Sequence, residues 1–99
     1  DHLQWFAEEG RRAYGRIIPP QADGKRNFVI KTPIGVVAAI SPWNFPLALA
    51  VRKVAPALAA GCPVVLKPAR QAPLSCVAFA ECVHAAQLPK GAGVMCTEV

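Results

Sequence analysis

Charge is scarce in this 99-residue chain: 17% Asp, Glu, Lys and Arg against 54% hydrophobic residues. A free-standing domain of that length buries little of its surface and usually carries more charge. The length allows one domain or part of one, and the deficit predicts that the chain packs against something beyond these residues. Acids are scarcer than bases, six against eleven, for a net charge of +5. The bases are scattered: Arg11, Arg12 and Arg16, then Lys25 and Arg26, then Arg52 and Lys53. With short doublets and no basic stripe, nucleic acid is not an expected partner. No apolar run approaches the roughly 18 residues of a membrane span, because charges interrupt each one, so no membrane is expected. No secretory segment is expected at the N-terminus, and the 99 residues hold no internal repeat and no low-complexity tract. The four cysteines, Cys62, Cys76, Cys82 and Cys96, lack metal-ligand spacing. They read as reduced, core-type thiols of a cytoplasmic protein, or of a mitochondrial-matrix protein if the source is eukaryotic.

The chain is organised around Pro33 to Ala69. Ile34 to Ile40 is an apolar run of strand length, rich in Val and Ile. Ser41-Pro42-Trp43-Asn44-Phe45-Pro46 follows as a sharp turn. Each proline locks its own φ and pushes its predecessor toward extended backbone. A helix is predicted from Leu47 to Ala60, closed by Gly61. Leu47, Val51, Val54 and Leu58 form its core stripe, and its alanines permit close approach to a sheet. Pro56 should kink this helix or limit its last turn. Arg52 and Lys53 should snorkel to solvent. Cys62 to Leu66 is a second buried strand that delivers Lys67 at its C-terminal end. Strand, helix and strand make a βαβ unit. Asn44 and Lys67 both leave strand C-termini, the edge where open parallel sheets bind ligands.

The flanks are plainer. Asp1 to Tyr14 has helical spacing of apolar residues, with Gly15 expected to stop the helix. Glu8 and Glu9 are placed to pair with Arg11, Arg12 and Arg16. Ile17 to Lys25 is a connector with Pro19-Pro20 and Asp23-Gly24 turn chemistry. Asn27 to Thr32 alternates as a strand, with Phe28 and Ile30 on one face, fit to be an edge strand or an arm to a partner. A helix from Pro73 to Ala86 is apolar nearly all round and should be buried on more than one side. Within it His84 shows no visible partner and reads as an ordinary histidine. Leu88 to Gly91 is a turn, and Gly93 to Thr97 begins another short strand.

The stretch SPWNFPLALAVRKVAPALAAGCPVVLKPA, Ser41 to Ala69, resembles the NAD(P)-dependent aldehyde dehydrogenase superfamily. YGRIIP (Tyr14 to Pro19), KRNFVIKTPIGV (Lys25 to Val36) and Arg52-Lys53 make it most like the succinate-semialdehyde dehydrogenase group. The similarity spans nearly the whole chain, with a small departure at the helix end, Ala55 to Gly61. The resemblance implies an α/β fold: an incomplete part of a Rossmann-like, parallel-sheet cofactor-binding domain. Residues 1–32 would hold its first helix, connector and strand, 33–69 the βαβ unit, and 70–99 a second helix and strand.

The resemblance also implies roles. Asn44 matches the oxyanion-hole asparagine, which donates to the alkoxide that develops when a thiolate attacks an aldehyde. On turn chemistry alone, an Asn satisfying its own backbone is the favoured reading. Ile40, Ser41, Pro42 and Trp43 match the lining of the NAD or NADP cleft. Lys67, in Lys67-Pro68-Ala69, matches the lysine on the adenosine ribose, with Ala69 beside it. Arg52 matches a basic residue that grips the distal carboxylate of a semialdehyde. Arg70 stands where many NAD-preferring relatives have Glu, and a guanidinium suits a 2′-phosphate, which tilts the expectation toward NADP.

The family's nucleophilic cysteine, its general-base glutamate and its Gly-rich pyrophosphate loop match nothing here. None of the four cysteines sits in the nucleophile's motif, and Glu81 and Glu98 do not match the base. The expected function is therefore that of a fragment of an enzyme oxidising succinate semialdehyde, or a similar acid-bearing semialdehyde, to the carboxylate. Alone it would be inactive. Its expected partners are a small-molecule aldehyde, the rest of an aldehyde dehydrogenase chain and, at full length, further copies in a homo-oligomer. The competing expectation is a truncated, non-catalytic module that binds a partner or nucleotide weakly.

Overall fold

Proline and glycine set the limits of the central unit. A computed structural model describes residues 1–90 and 92–97. Its elements, in chain order, are α1 (His2–Gly10), β1 (Arg16–Ile18), β2 (Asn27–Val29), β3 (Val37–Ile40), α2 (Pro46–Ala59), β4 (Val64–Lys67), α3 (Leu74–Ala85) and β5 (Val94–Cys96). The turn expected at Leu88 to Gly91 ends on a residue outside those described.

β3, β4 and β5 form a parallel sheet in that order, with Val37 opposite Val64, Ile40 opposite Lys67, and Val64 opposite Val94. β3 starts at Val37, not Ile34, because Gly35 takes a positive φ of 108° that breaks the extended run. β4 likewise starts at Val64. Pro63 has no N–H for the ladder, though its carbonyl accepts from Val37 N–H at 2.9 Å. The side chains of Ala39, Val64 and Leu66 face the helices and are fully buried there with Val54 and Cys76. Burying each large side chain stabilises the fold by roughly 1.5–3 kcal/mol.

α2 runs through Pro56 to Ala59, so the proline does not end it. An interior proline costs a helix about 3 kcal/mol, here offset by burial of Ala50, Val51, Val54, Ala55 and Ala57. Leu47, placed in the core stripe by spacing, is instead exposed at the sheet edge, and alanines take its share of the contact. The helix closes with Gly61 N–H on the Leu58 carbonyl and Cys62 N–H on the Ala57 carbonyl, each at 2.9 Å. That paired closure is a Schellman cap, and it requires the left-handed φ of 78° at Gly61.

α1 is shorter than its pattern suggests. It ends at Gly10, where Arg11 and Arg12 N–H groups turn back to Glu8 and Glu9 carbonyls in a tighter turn. Gly10 lies against Ala59 of α2, close enough that an added Cβ would sit 3.2 Å from the alanine methyl. Gly15 does not stop the helix. It passes so near β2 that an added Cβ would fall 2.2 Å from the Val29 carbonyl oxygen. Of the expected ion pairs, the i,i+3 ones form on exposed ground, Arg11 with Glu8 and Arg12 with Glu9; among the described residues no i,i+4 pair forms and Arg16 pairs with neither glutamate.

The connector hides a strand. β1 pairs antiparallel with β2, Arg16 opposite Val29 and Ile18 opposite Asn27, making a two-stranded ribbon separate from the main sheet. This ribbon projects. The molecule measures 60 × 26 × 24 Å, and its radius of gyration of 16.9 Å exceeds the roughly 13 Å of a compact chain this long. α3 also departs from expectation: only Cys76 and Phe79 are buried, and Leu74 is 80% exposed. Within this chain the helix covers one side of the sheet, and its other apolar faces lie open.

Candidate functional site

Parallel register places the two polar residues of the βαβ unit on one edge. Ile40 ends β3 and Lys67 ends β4, and the two are direct register partners. The Ser41 N–H donates to the Lys67 carbonyl at 3.0 Å, extending the ladder one step past the strand. Ile40 and Lys67 share the sheet face away from the helices and are both exposed. After β4, Pro68 is buried, and the Ala72 N–H donates to the Ala69 carbonyl at 3.1 Å, closing a turn that presents Arg70 to solvent. Among the described residues neither Lys67 nor Arg70 pairs with a carboxylate, since the ion pairs lie on α1.

Pro42, Trp43, Asn44 and Phe45 stand exposed beyond this edge, with Trp43 at 63%. Asn44 makes no side-chain hydrogen bond among the described residues, so its amide is not spent on its own turn. Phe45 departs from the extended backbone that Pro46 was expected to impose. It takes a left-handed conformation, φ 49° and ψ 54°. Pre-proline sterics disfavour the right-handed helical region, and the left-handed one lets the chain turn into a helix whose first residue is Pro46. Such a conformation at a non-glycine costs of order 1–3 kcal/mol. The first α2 bond runs from Leu49 N–H to the Phe45 carbonyl at 3.0 Å. The Leu47 and Ala48 amides are thus left without intrahelical partners at the positive end of the helix dipole, beside Asn44.

Ser41 differs from its neighbours. It is 3% exposed, and its hydroxyl faces the Cys76 sulfur at 3.7 Å. Of the four residues expected to line a cofactor cleft, Ile40, Pro42 and Trp43 are therefore open to a ligand, and Ser41 turns its side chain inward. The Cys76 thiol in turn donates to the Pro46 carbonyl at 3.5 Å. The sequence carries no local sign of this contact, because Ser41 and Cys76 are 35 residues apart.

Arg52 is not brought to the edge. It lies on α2 two residues before the buried Val54, roughly 160° around the helix from it, and it is exposed. The cysteines are all free: Cys62 and Cys76 buried, Cys96 half-buried, and Cys82 exposed, the last departing from a core-type thiol. Burial, and then the nearby Cys76, push the Cys96 thiol above its ordinary pKa. Among the described residues no three His, Cys, Asp or Glu side chains cluster to hold a metal ion, and no helix is long and apolar enough to cross a membrane.

Comparison with known proteins matches the aldehyde dehydrogenase family model to residues 1–98. A glutarate-semialdehyde dehydrogenase of Pseudomonas putida is 57% identical over 89 residues, which cover 90% of this chain and 18% of that protein. An NADP(+) succinate-semialdehyde dehydrogenase of Escherichia coli is 58% identical over the same shares. Among solved structures, an NADP-dependent enzyme of Escherichia coli superposes with a TM-score of 0.88 at 54% identity, covering 99% of this chain and 21% of that one. The chain spans about a fifth of the length of the relatives it matches.

Proposed function

This chain belongs to the aldehyde dehydrogenase family, and on that premise we propose that it supplies half of the active site of an NAD(P)-dependent semialdehyde dehydrogenase. The supporting observation is the edge where Asn44 stands exposed on its turn, four residues past Ile40, the register partner of Lys67. The substrate is succinate semialdehyde or glutarate semialdehyde, in keeping with the names of relatives above 55% identity.

The residues fit a nicotinamide dinucleotide. Lys67 offers an ammonium with no carboxylate partner among the described residues. Ile40 and Trp43 offer exposed apolar surface, and Ala69 opens the turn that carries Arg70. When bound, the nicotinamide accepts the hydride that leaves the aldehyde carbon. Lys67 hydrogen-bonds the adenosine ribose, and Arg70 pairs with a 2′-phosphate, favouring NADP. Asn44 Nδ2 donates to the aldehyde oxygen as it becomes an alkoxide under attack by a thiolate. Arg52 pairs with the distal carboxylate once the full chain folds around α2.

The thiolate comes from elsewhere in the enzyme. A nucleophilic cysteine needs access and a lowered pKa. Cys62 and Cys76 have no access, and the Cys96 thiol is shifted the wrong way. Cys82 is in the second half of α3, toward the opposite edge of the sheet. The 99-residue chain alone is therefore inactive. Its free thiols suit the cytoplasm or the mitochondrial matrix. The projecting ribbon, with Ile17 80% and Phe28 62% exposed, is the contact to a second copy in a homo-oligomer.

Steady-state kinetics of the full-length enzyme across aldehydes with and without a distal acid tests this reading. Succinate or glutarate semialdehyde should exceed the matching alkyl aldehydes in kcat/KM. A clear preference for alkyl aldehydes would remove the role given to Arg52.

A further inference from the structure

We propose that Cys76 is a positioning residue for Asn44, its thiol tying together the two ends of the turn on which Asn44 stands. The inference rests on Asn44 being the donor to the developing alkoxide. Cys76 lies in the first turn of α3, is completely buried, and reaches both ends of that turn from below. Ser41 is the last residue before the turn, and its Oγ lies 3.7 Å from Cys76 Sγ. Pro46 is the first residue after it, and its carbonyl oxygen lies 3.5 Å from the same sulfur.

The proton count fixes the direction. A thiol has one hydrogen, and Cys76 gives it to the Pro46 carbonyl, so the Ser41 hydroxyl is the donor to sulfur. Among the described residues the Ser41 side chain has no other partner. The four residues between, Pro42 to Phe45, are exposed and make no side-chain hydrogen bonds there. Their course is set at the base. The backbone bonds at the base hold each end to its own surroundings: Ser41 N–H to the Lys67 carbonyl, and Leu49 N–H to the Phe45 carbonyl. Among the described residues, only the sulfur of Cys76 hydrogen-bonds to both ends. A donor amide acts only when it is held at hydrogen-bond distance, about 2.7–3.1 Å, from the position the developing alkoxide will take, so slack at the base becomes lost rate at Asn44.

The test uses the full-length enzyme with Cys76→Ala, Cys76→Val, Cys76→Ser and Ser41→Ala, each alone and in an Asn44→Ala background. Cys76→Ala and Cys76→Val should lower kcat about five- to tenfold, as expected for a small misplacement of a catalytic group, with the KM for cofactor held within about twofold. Cys76→Ser, which keeps a donor and an acceptor, should recover most of the loss. In the Asn44→Ala background the Cys76 changes should lower kcat no further. If Asn44→Ala lowers kcat steeply and Cys76→Ala does not, the positioning role is wrong and the role of Asn44 stands. If Asn44→Ala leaves kcat unchanged, the role of Asn44 fails and takes this proposal with it. An equal Cys76→Ala loss in both backgrounds would mean general loosening and would also overturn it. Should the Cys76 variants fail to fold, Ser41→Ala cuts the same bridge from the other side, with the same outcomes.

Discussion

Asn44 has an amide unspent among the described residues on an exposed turn, and its replacement should be felt in rate more than in binding. Asn44→Ala should lower kcat of the full-length enzyme by about 10²–10³, the usual cost of losing one oxyanion donor. Cofactor affinity, measured by fluorescence titration, should be unchanged. At Arg70 the effect should be on affinity: Arg70→Glu removes the phosphate partner proposed above and adds a repelling charge, so the NADP-to-NAD ratio of kcat/KM should fall about tenfold or more. Equal use of both cofactors before and after the change would remove Arg70 from the site. Cys96 gives a pH dependence. Burial raises its folded-state pKa, so the folded protein holds the thiol proton to a higher pH than the unfolded chain does. The resulting stability is present below the unfolded thiol pKa, about 8.5, and is lost as pH rises through the folded value. Urea midpoints should fall on the alkaline side of neutrality, and less so in Cys96→Ala.

Among the helix ends, the Gly61 cap should tolerate substitution poorly. Gly61→Ala forces a left-handed φ on a residue with a Cβ and brings that Cβ to 3.1 Å from Pro33 Cγ. It should destabilise the full-length protein by more than about 1 kcal/mol, read as a lower urea midpoint at unchanged slope. The βαβ unit was legible because its signals are local. Two prolines, a closing glycine and apolar runs of the right length mark it, and the parallel register then follows from the connections. What escaped was non-local. β1 is three residues beside a Pro-Pro pair, and only its pairing with β2 makes it a strand. Cys76 is an ordinary apolar position of α3 until folding sets it beside Ser41. Phe45 escapes sequence reading because a proline rule stating which backbone region is disfavoured does not choose between the ones that remain. The role proposed for Asn44 comes from the family resemblance; turn chemistry alone favours a structural one.

For the whole molecule, the charge deficit and the open surface agree. The outer faces of α3, the ribbon, and the sheet face carrying Ile40 and Met95 are apolar and uncovered. The 99-residue chain on its own should be marginally stable and prone to self-association. Light scattering and a thermal melt check this, and a cooperative melt of a monomer would count against it. The projecting ribbon has a further consequence during synthesis. Translation is vectorial, at about 5–20 residues per second, and β1 and β2 leave the ribosome before any strand of the parallel sheet. Ile17, Phe28 and Ile30 must then wait, uncovered, while the βαβ unit is still being made. A nascent chain in that state carries its aggregation hazard from the first third of its length, before the sheet that gives it a core exists.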